Sequence, residues 1–158
     1  MVTVSQIANI LLPWTGSGLL EKLHPECVQI VKWLNSPRDT EYLSALTERI
    51  TLLLFSRIRQ LTNGTFIVQP DGGYPVRMQT EDFSVIADDM LLPLFMDYPA
   101  DEQHLLHLKT YAMSCASLSA LRALYTRFAP LQDAEELSVI AQIARGSYPP
   151  YRLFGWLN

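Results

Sequence analysis

The sequence predicts a single, mainly α domain, a bundle of about five or six helices with one short β-hairpin at about residues 65–79. Three observations lead there. Apolar residues recur at the helical period through most of the chain, most fully at Leu43, Leu46, Ile50, Leu53, Leu54, Ile58 and Leu61. The period falls to two only once, on either side of Asp71-Gly72-Gly73. The 158 residues are 49% hydrophobic and 18% charged, against about 25% charged in an ordinary soluble domain. A chain of that size can build one core without a metal or a disulfide framework.

The elements follow in order. Val4 to Leu12 reads as a short apolar helix, ended by Pro13, whose ring and missing N–H oppose continuation. Gly16-Ser17-Gly18 is a flexible join, and Leu19 to Leu23 offers another helical turn. Pro25 suits the start of a helix running to about Leu34, with Cys27, Ile30, Val31 and Leu34 on one face. Thr40 to Thr62 is the strongest helix. Leu52 and Phe55 add a second apolar edge to it, so neighbours are expected on more than one side. Asn63-Gly64 supplies a left-handed stop.

In the hairpin, a three-residue loop pairs Phe66 with Met78 and Val68 with Val76 on one face, leaving Ile67, Gln69, Pro75 and Arg77 on the other. Pro75 donates no ladder bond, which predicts an edge strand. Thr80 then caps a helix to about Leu92 that turns Phe83, Ile86, Ala87, Met90 and Leu94 inward and Glu81, Asp82, Asp88 and Asp89 away. Pro93 ends or kinks it. Ala100 to Phe128 reads as one long helix stopped by Ala129-Pro130. Asp133 and Glu136 resemble a capping box for a last helix ending at Gly146. The whole, 1–158, reads as one domain, with 147–158 an aromatic C-terminal tail.

Net charge is −4 and the isoelectric point about 5.3, with mean hydropathy +0.10. The twelve basic residues are scattered, so a phosphate-binding surface, and with it nucleic acid as a partner, is not expected. No run is long and apolar enough to span a bilayer, and the uncharged first twenty residues lack the basic start of a signal peptide. A cytoplasmic location is the expectation. Cys27 and Cys115 form no CxxC pair; they read as buried thiols, with a single disulfide left open.

Motifs for nucleotide binding, for a serine-nucleophile elbow and for the zinc-protease helix are missing from the sequence, so no catalytic or cofactor-binding residue is nominated. Asp101, His104 and His107 recur at intervals of three and form a slanted stripe on a helix, the donor types a transition metal takes. They carry the alternative of a small metal-dependent enzyme. His107 and Cys115 lie eight residues apart, about 12 Å along a helix, too far for a nucleophile and its base. A second alternative is a winged-helix regulator, but Thr51 to Leu61 offers a reading helix mostly Leu, Phe and Ile.

Protein contact is the expected role: a non-catalytic adaptor, assembly factor or chaperone-like module. Seven of the sixteen acids fall between Glu81 and Glu102, Asp88 and Asp89 among them, a surface suited to a basic partner. Tyr148, Tyr151, Phe154 and Trp156 suit an interface hot spot equally with a core-filling tail. From 112 to 123, eight of twelve residues are Ala, Ser or Cys, which suits close helix approach within the fold or across a homodimer.

Overall fold

The computed structural model describes residues 1–36, 42–95, 111 and 115–128. Mainly helical with one two-stranded antiparallel hairpin, it has the predicted architecture. Helix α1 (Val4–Lys22) opens on a capping box: Gln6 N–H donates to Thr3 Oγ1 (3.2 Å), and Thr3 N–H donates to Gln6 Oε1 (2.8 Å). Pro13 does not end this helix. Pro13 and Asn9, whose carbonyl loses its helical donor, are both exposed, so water satisfies the orphaned oxygen. The break comes at Gly16 (φ 76°, ψ 163°).

Gly16 is demanded twice over. Its φ lies in the left-handed region, and a Cβ placed there would collide with the Gln69 carbonyl oxygen. The hairpin backbone is pressed onto the break. Asp71, in the hairpin loop, then accepts from Ser17 N–H (3.0 Å) and Ser17 Oγ–H (3.1 Å), capping the second half of α1.

Helix α2 (His24–Asn35) carries Pro25 in its first turn and buries Cys27, Ile30 and Leu34. Its last residue ties down the N-terminus: Asn35 Nδ2 donates to Val2 O and Val2 N–H donates to Asn35 Oδ1, both at 2.8 Å. Helix α3 (Tyr42–Leu61) packs on α2 and on α4. Its buried stripe is Leu43, Leu46, Ile50, Leu54 and Ile58. The second apolar edge behaves differently. Leu53 and Phe55 are half-buried, but Leu52 is 59% exposed, so no described neighbour covers that side.

α3 stops in a Schellman motif. Asn63 (φ 53°) and Gly64 (φ 78°) turn left-handed, with Gly64 N–H on Arg59 O (2.7 Å) and Asn63 N–H on Gln60 O (3.4 Å). The strands β1 (Ile67–Val68) and β2 (Val76–Arg77) pair in the predicted register, Val68 opposite Val76 and Ile67 opposite Arg77, with Met78 N–H on Phe66 O (2.9 Å). Phe66 is held at φ 54°, a backbone conformation unfavourable for a bulky residue. What holds it is its ring, which meets Phe55 at 4.9 Å and Phe83 at 5.6 Å and docks the hairpin on α3 and α4.

Helix α4 (Thr80–Met90) begins one residue earlier than expected, because Gln79, not Thr80, is the cap: its N–H donates to Asp82 Oδ2 (2.7 Å). Phe83, Ile86, Ala87 and Met90 are buried as predicted. A short α5 (Leu92–Phe95) contains Pro93. The single helix expected over Ala100 to Phe128 is interrupted. Tyr111 is helical, residues 115–117 are not, and α6 (Leu118–Phe128) starts afresh. Ser117 Oγ accepts from Ala120 N–H (3.2 Å), the N-cap contact that favours a new start.

Candidate functional site

Two places gather chemistry-bearing side chains. The first is a buried junction between α4 and residues 111–117. Asp88, expected on the outer face of α4, is 1% exposed. The Tyr111 hydroxyl donates to Asp88 Oδ1 and the Ala116 N–H to Oδ2, both at 2.6 Å. Thr47 Oγ1 lies 3.4 Å from the Tyr111 hydroxyl, which brings α3 into the same network. Beside it, half-buried Asp89 accepts a short hydrogen bond from Ser117 Oγ.

Burial pushes the Asp88 carboxyl above its ordinary range, against the opposing pull of Tyr111, Ala116 N–H and Cys115. Asp89 is raised for the same reason, with Ser117 opposing. Burial, then the nearby Asp88, raises the Tyr111 phenol and the Cys115 thiol. Burial and Glu26 push the Cys27 thiol up to about 11. Both thiols are therefore protonated and poor nucleophiles at neutral pH. The two cysteines are free, which settles the disulfide left open by the sequence. Both Asp88 oxygens accept from the chain itself and the side chain is buried, so this junction latches 115–117 onto α4.

The second place is a groove of about 550 Å³ on the outer side of α2 and α3. Its wall along α3 is Arg49, Leu52, Leu53, Ser56 and Arg59, a stripe at helical spacing, with Trp33 of α2 and Phe55 completing it. Arg49 stands over the Trp33 ring, 6.0 Å from its centroid. Arg59 is exposed. A neighbouring ion pair faces inward from the same two helices: Arg57 Nε lies 2.8 Å from Glu26 Oε1 without the alignment of a hydrogen bond. Glu26 Oε2 has no hydrogen-bond partner among the described residues.

The other residues singled out by the sequence divide simply. Asp101, His104 and His107 lie outside the described residues, as do Tyr148, Tyr151, Phe154 and Trp156 and the capping pair Asp133 and Glu136. Among the described residues no cluster of His, Cys, Asp and Glu could hold a metal ion. Of the small-residue run 112–123, Cys115, Ser117 and Ala120 are buried within this chain, and 112–114 lie outside the described residues. No described helix is long and apolar enough to cross a membrane. The α3 wall of the groove was missed in the sequence because Leu52 was counted as core. The signal was present, since Arg49 and Arg59 share one face with Leu52 and Ser56, at offsets of three, seven and ten from Arg49. No protein-family model, curated protein or solved structure matches the chain.

Proposed function

We propose that the chain is a non-catalytic protein-interaction module, an adaptor or assembly factor, whose docking surface is the groove between α2 and α3. The observation that carries this reading is Leu52, 59% exposed at the middle of a 20-residue helix. It is flanked by an aromatic ring and two guanidinium groups, with Leu53 and Phe55 half-buried beneath. Trp and Arg around an apolar floor are the residue types that dominate interface energetics. The junction at Asp88 counts in the same direction, since its acids serve the fold and its thiol, Cys115, is buried and protonated. Glu81 is an exposed acid that sets polarity elsewhere on the surface, and the reading does not lean on the tail 147–158.

Affinity capture from the cell of origin tests it, comparing the wild-type chain with Leu52→Gln. Gln keeps helix propensity and charge while removing exposed apolar surface. Loss of captured protein with an unchanged Tm is the expected result. Identical captures from both chains would remove the groove from the interface and the reading with it.

A further inference from the structure

We infer that Asn63 is a self-modification site, where the Gly64 nitrogen attacks the Asn63 side-chain amide and the turn that ends α3 gates the reaction. Asn63 is followed by glycine, whereas Asn9 is followed by Ile10 and Asn35 by Ser36. With no Cβ in the way, a glycine nitrogen closes a five-membered ring on the preceding side chain most readily. Asn63 and Gly64 are both exposed, and no described atom lies within 4 Å of where a Cβ on Gly64 would sit. Asn63 also lines a cleft of about 460 Å³ between the second half of α1, the end of α3 and β1, which gives solvent room beside it. Asn35 differs: its side-chain amide is held at both ends by the Val2 backbone. Asn9 sits inside α1 ahead of a β-branched residue.

The step needs only water. Gly64 N gives its proton to a solvent base and forms a bond to Asn63 Cγ. The Cγ–Nδ2 bond breaks, and Nδ2 takes a proton from water and leaves as ammonia, so a cyclic imide remains. One water then opens the ring. Addition at Cγ breaks its bond to Gly64 N and leaves aspartate in a normal chain. Addition at the backbone carbonyl carbon breaks the original peptide bond and leaves isoaspartate, with the chain running through Cγ. In sum, one amide and one water become one carboxylic acid and one ammonia.

The fold holds the attacking group back. Gly64 N–H donates to Arg59 O (2.7 Å), so the proton that must leave is engaged, and the turn fixes Asn63 at φ 53° and Gly64 at φ 78°. Two residues further on, Thr62 Oγ1 accepts from Phe66 N–H (3.0 Å) and the Phe66 ring packs on Phe55 and Phe83, which closes the turn from the hairpin side. Attack therefore waits for a local opening. The two products then act differently. Aspartate tolerates the left-handed conformation but places a negative charge at the C-terminus of α3. Isoaspartate adds a carbon to the backbone and destroys the register that seats Phe66.

The test incubates the full chain in mildly alkaline buffer, folded and in denaturing guanidinium chloride, and maps its peptides by mass spectrometry. Asn63 should convert before Asn9 and Asn35 in both, and at least about ten-fold more slowly in the folded chain. The same opening frees the Gly64 N–H to exchange with deuterium, so sub-denaturing guanidinium chloride should raise exchange at Gly64 and conversion at Asn63 by the same factor. Phe66→Leu should raise both several-fold; if that variant does not fold, the denaturant series on the wild-type chain carries the test. Earlier conversion at Asn9 or Asn35, or a folded chain unchanged at Asn63 long after the unfolded one is complete, would overturn the site. Equal rates in folded and unfolded chains, or exchange and conversion that move independently, would overturn the gate.

Discussion

Glu26 and Asp88 are both buried acids on helices that pack against α3, and the chain accommodates them in opposite ways. Glu26 faces a cation, Arg57, itself 36% exposed, and one of its oxygens has no hydrogen-bond partner among the described residues. Asp88 accepts from neutral donors on both oxygens, a phenol and a backbone N–H. The difference teaches what each acid is for. The donors on Asp88 come from residues 111 and 116, so the acid joins separate parts of the chain. A side chain in that role is hard to replace, because its removal takes the acceptor from the buried Tyr111 hydroxyl and the half-buried Ala116 N–H. Glu26 joins α2 to α3, which already share an apolar contact, so its loss leaves packing behind.

Substitutions can break that comparison. Asp88→Ala should have the largest effect, about 3–5 kcal/mol in urea unfolding, since the Tyr111 hydroxyl and the Ala116 N–H both lose their acceptor. Arg57→Met comes next. It leaves Glu26 buried beside no described cation, but the partial exposure of Arg57 holds the cost to about 1–3 kcal/mol, below the value for a fully buried pair. Ser117→Ala should cost about 1–2 kcal/mol by removing the cap of α6 and the donor to Asp89. Glu26→Gln should cost less than about 1 kcal/mol, because a neutral amide relieves the burial of a charge whose second oxygen has no partner among the described residues. If Glu26→Gln and Asp88→Ala proved equally damaging, the distinction between the two acids would be gone.

The smallest effect sharpens the comparison through pH. Asp88 and Asp89 have folded pKa values raised above 3.8, so their contribution to stability is fully present below that value and is lost as pH rises through the raised values. Lowering the pH from neutral towards 3.8 should therefore favour the wild-type chain relative to Asp88→Asn, which lacks the titrating group. Chemical denaturation of both chains across that range checks the sign. A wild-type advantage that shrinks as pH falls would contradict it.

The sequence made the elements legible wherever one periodic pattern governed a whole segment. The buried stripe of α3 and the hairpin register are such cases, because slipping either pattern moves several large apolar residues into water at once. The stop at Asn63-Gly64 was legible because few residues tolerate a left-handed turn. Pro13 misled, since the cost of proline in a helix depends on whether water can reach the orphaned carbonyl. Residues 115–117 misled more, since Ser117 caps a helix only because Asp88 and Asp89, on a distant element, engage its neighbourhood. Asp88 in a helical pattern looks like any outward acid until the donors that meet it are known. The groove was half-legible: its residues share one helix face, but Leu52 looks the same in sequence whether a neighbour covers it or not.

The contact at Gly16 has a consequence for how the chain assembles during synthesis. Ser17 waits for a cap that lies 54 residues further on, in the hairpin loop. A ribosome-bound stretch ending in α2 can therefore form the first half of α1, whose own capping box is local, but not the finished second half. The second half of α1 gains its cap only when Asp71 is in place. One half of α1 thus depends on its own local sequence, and the other on sequence made 54 residues later.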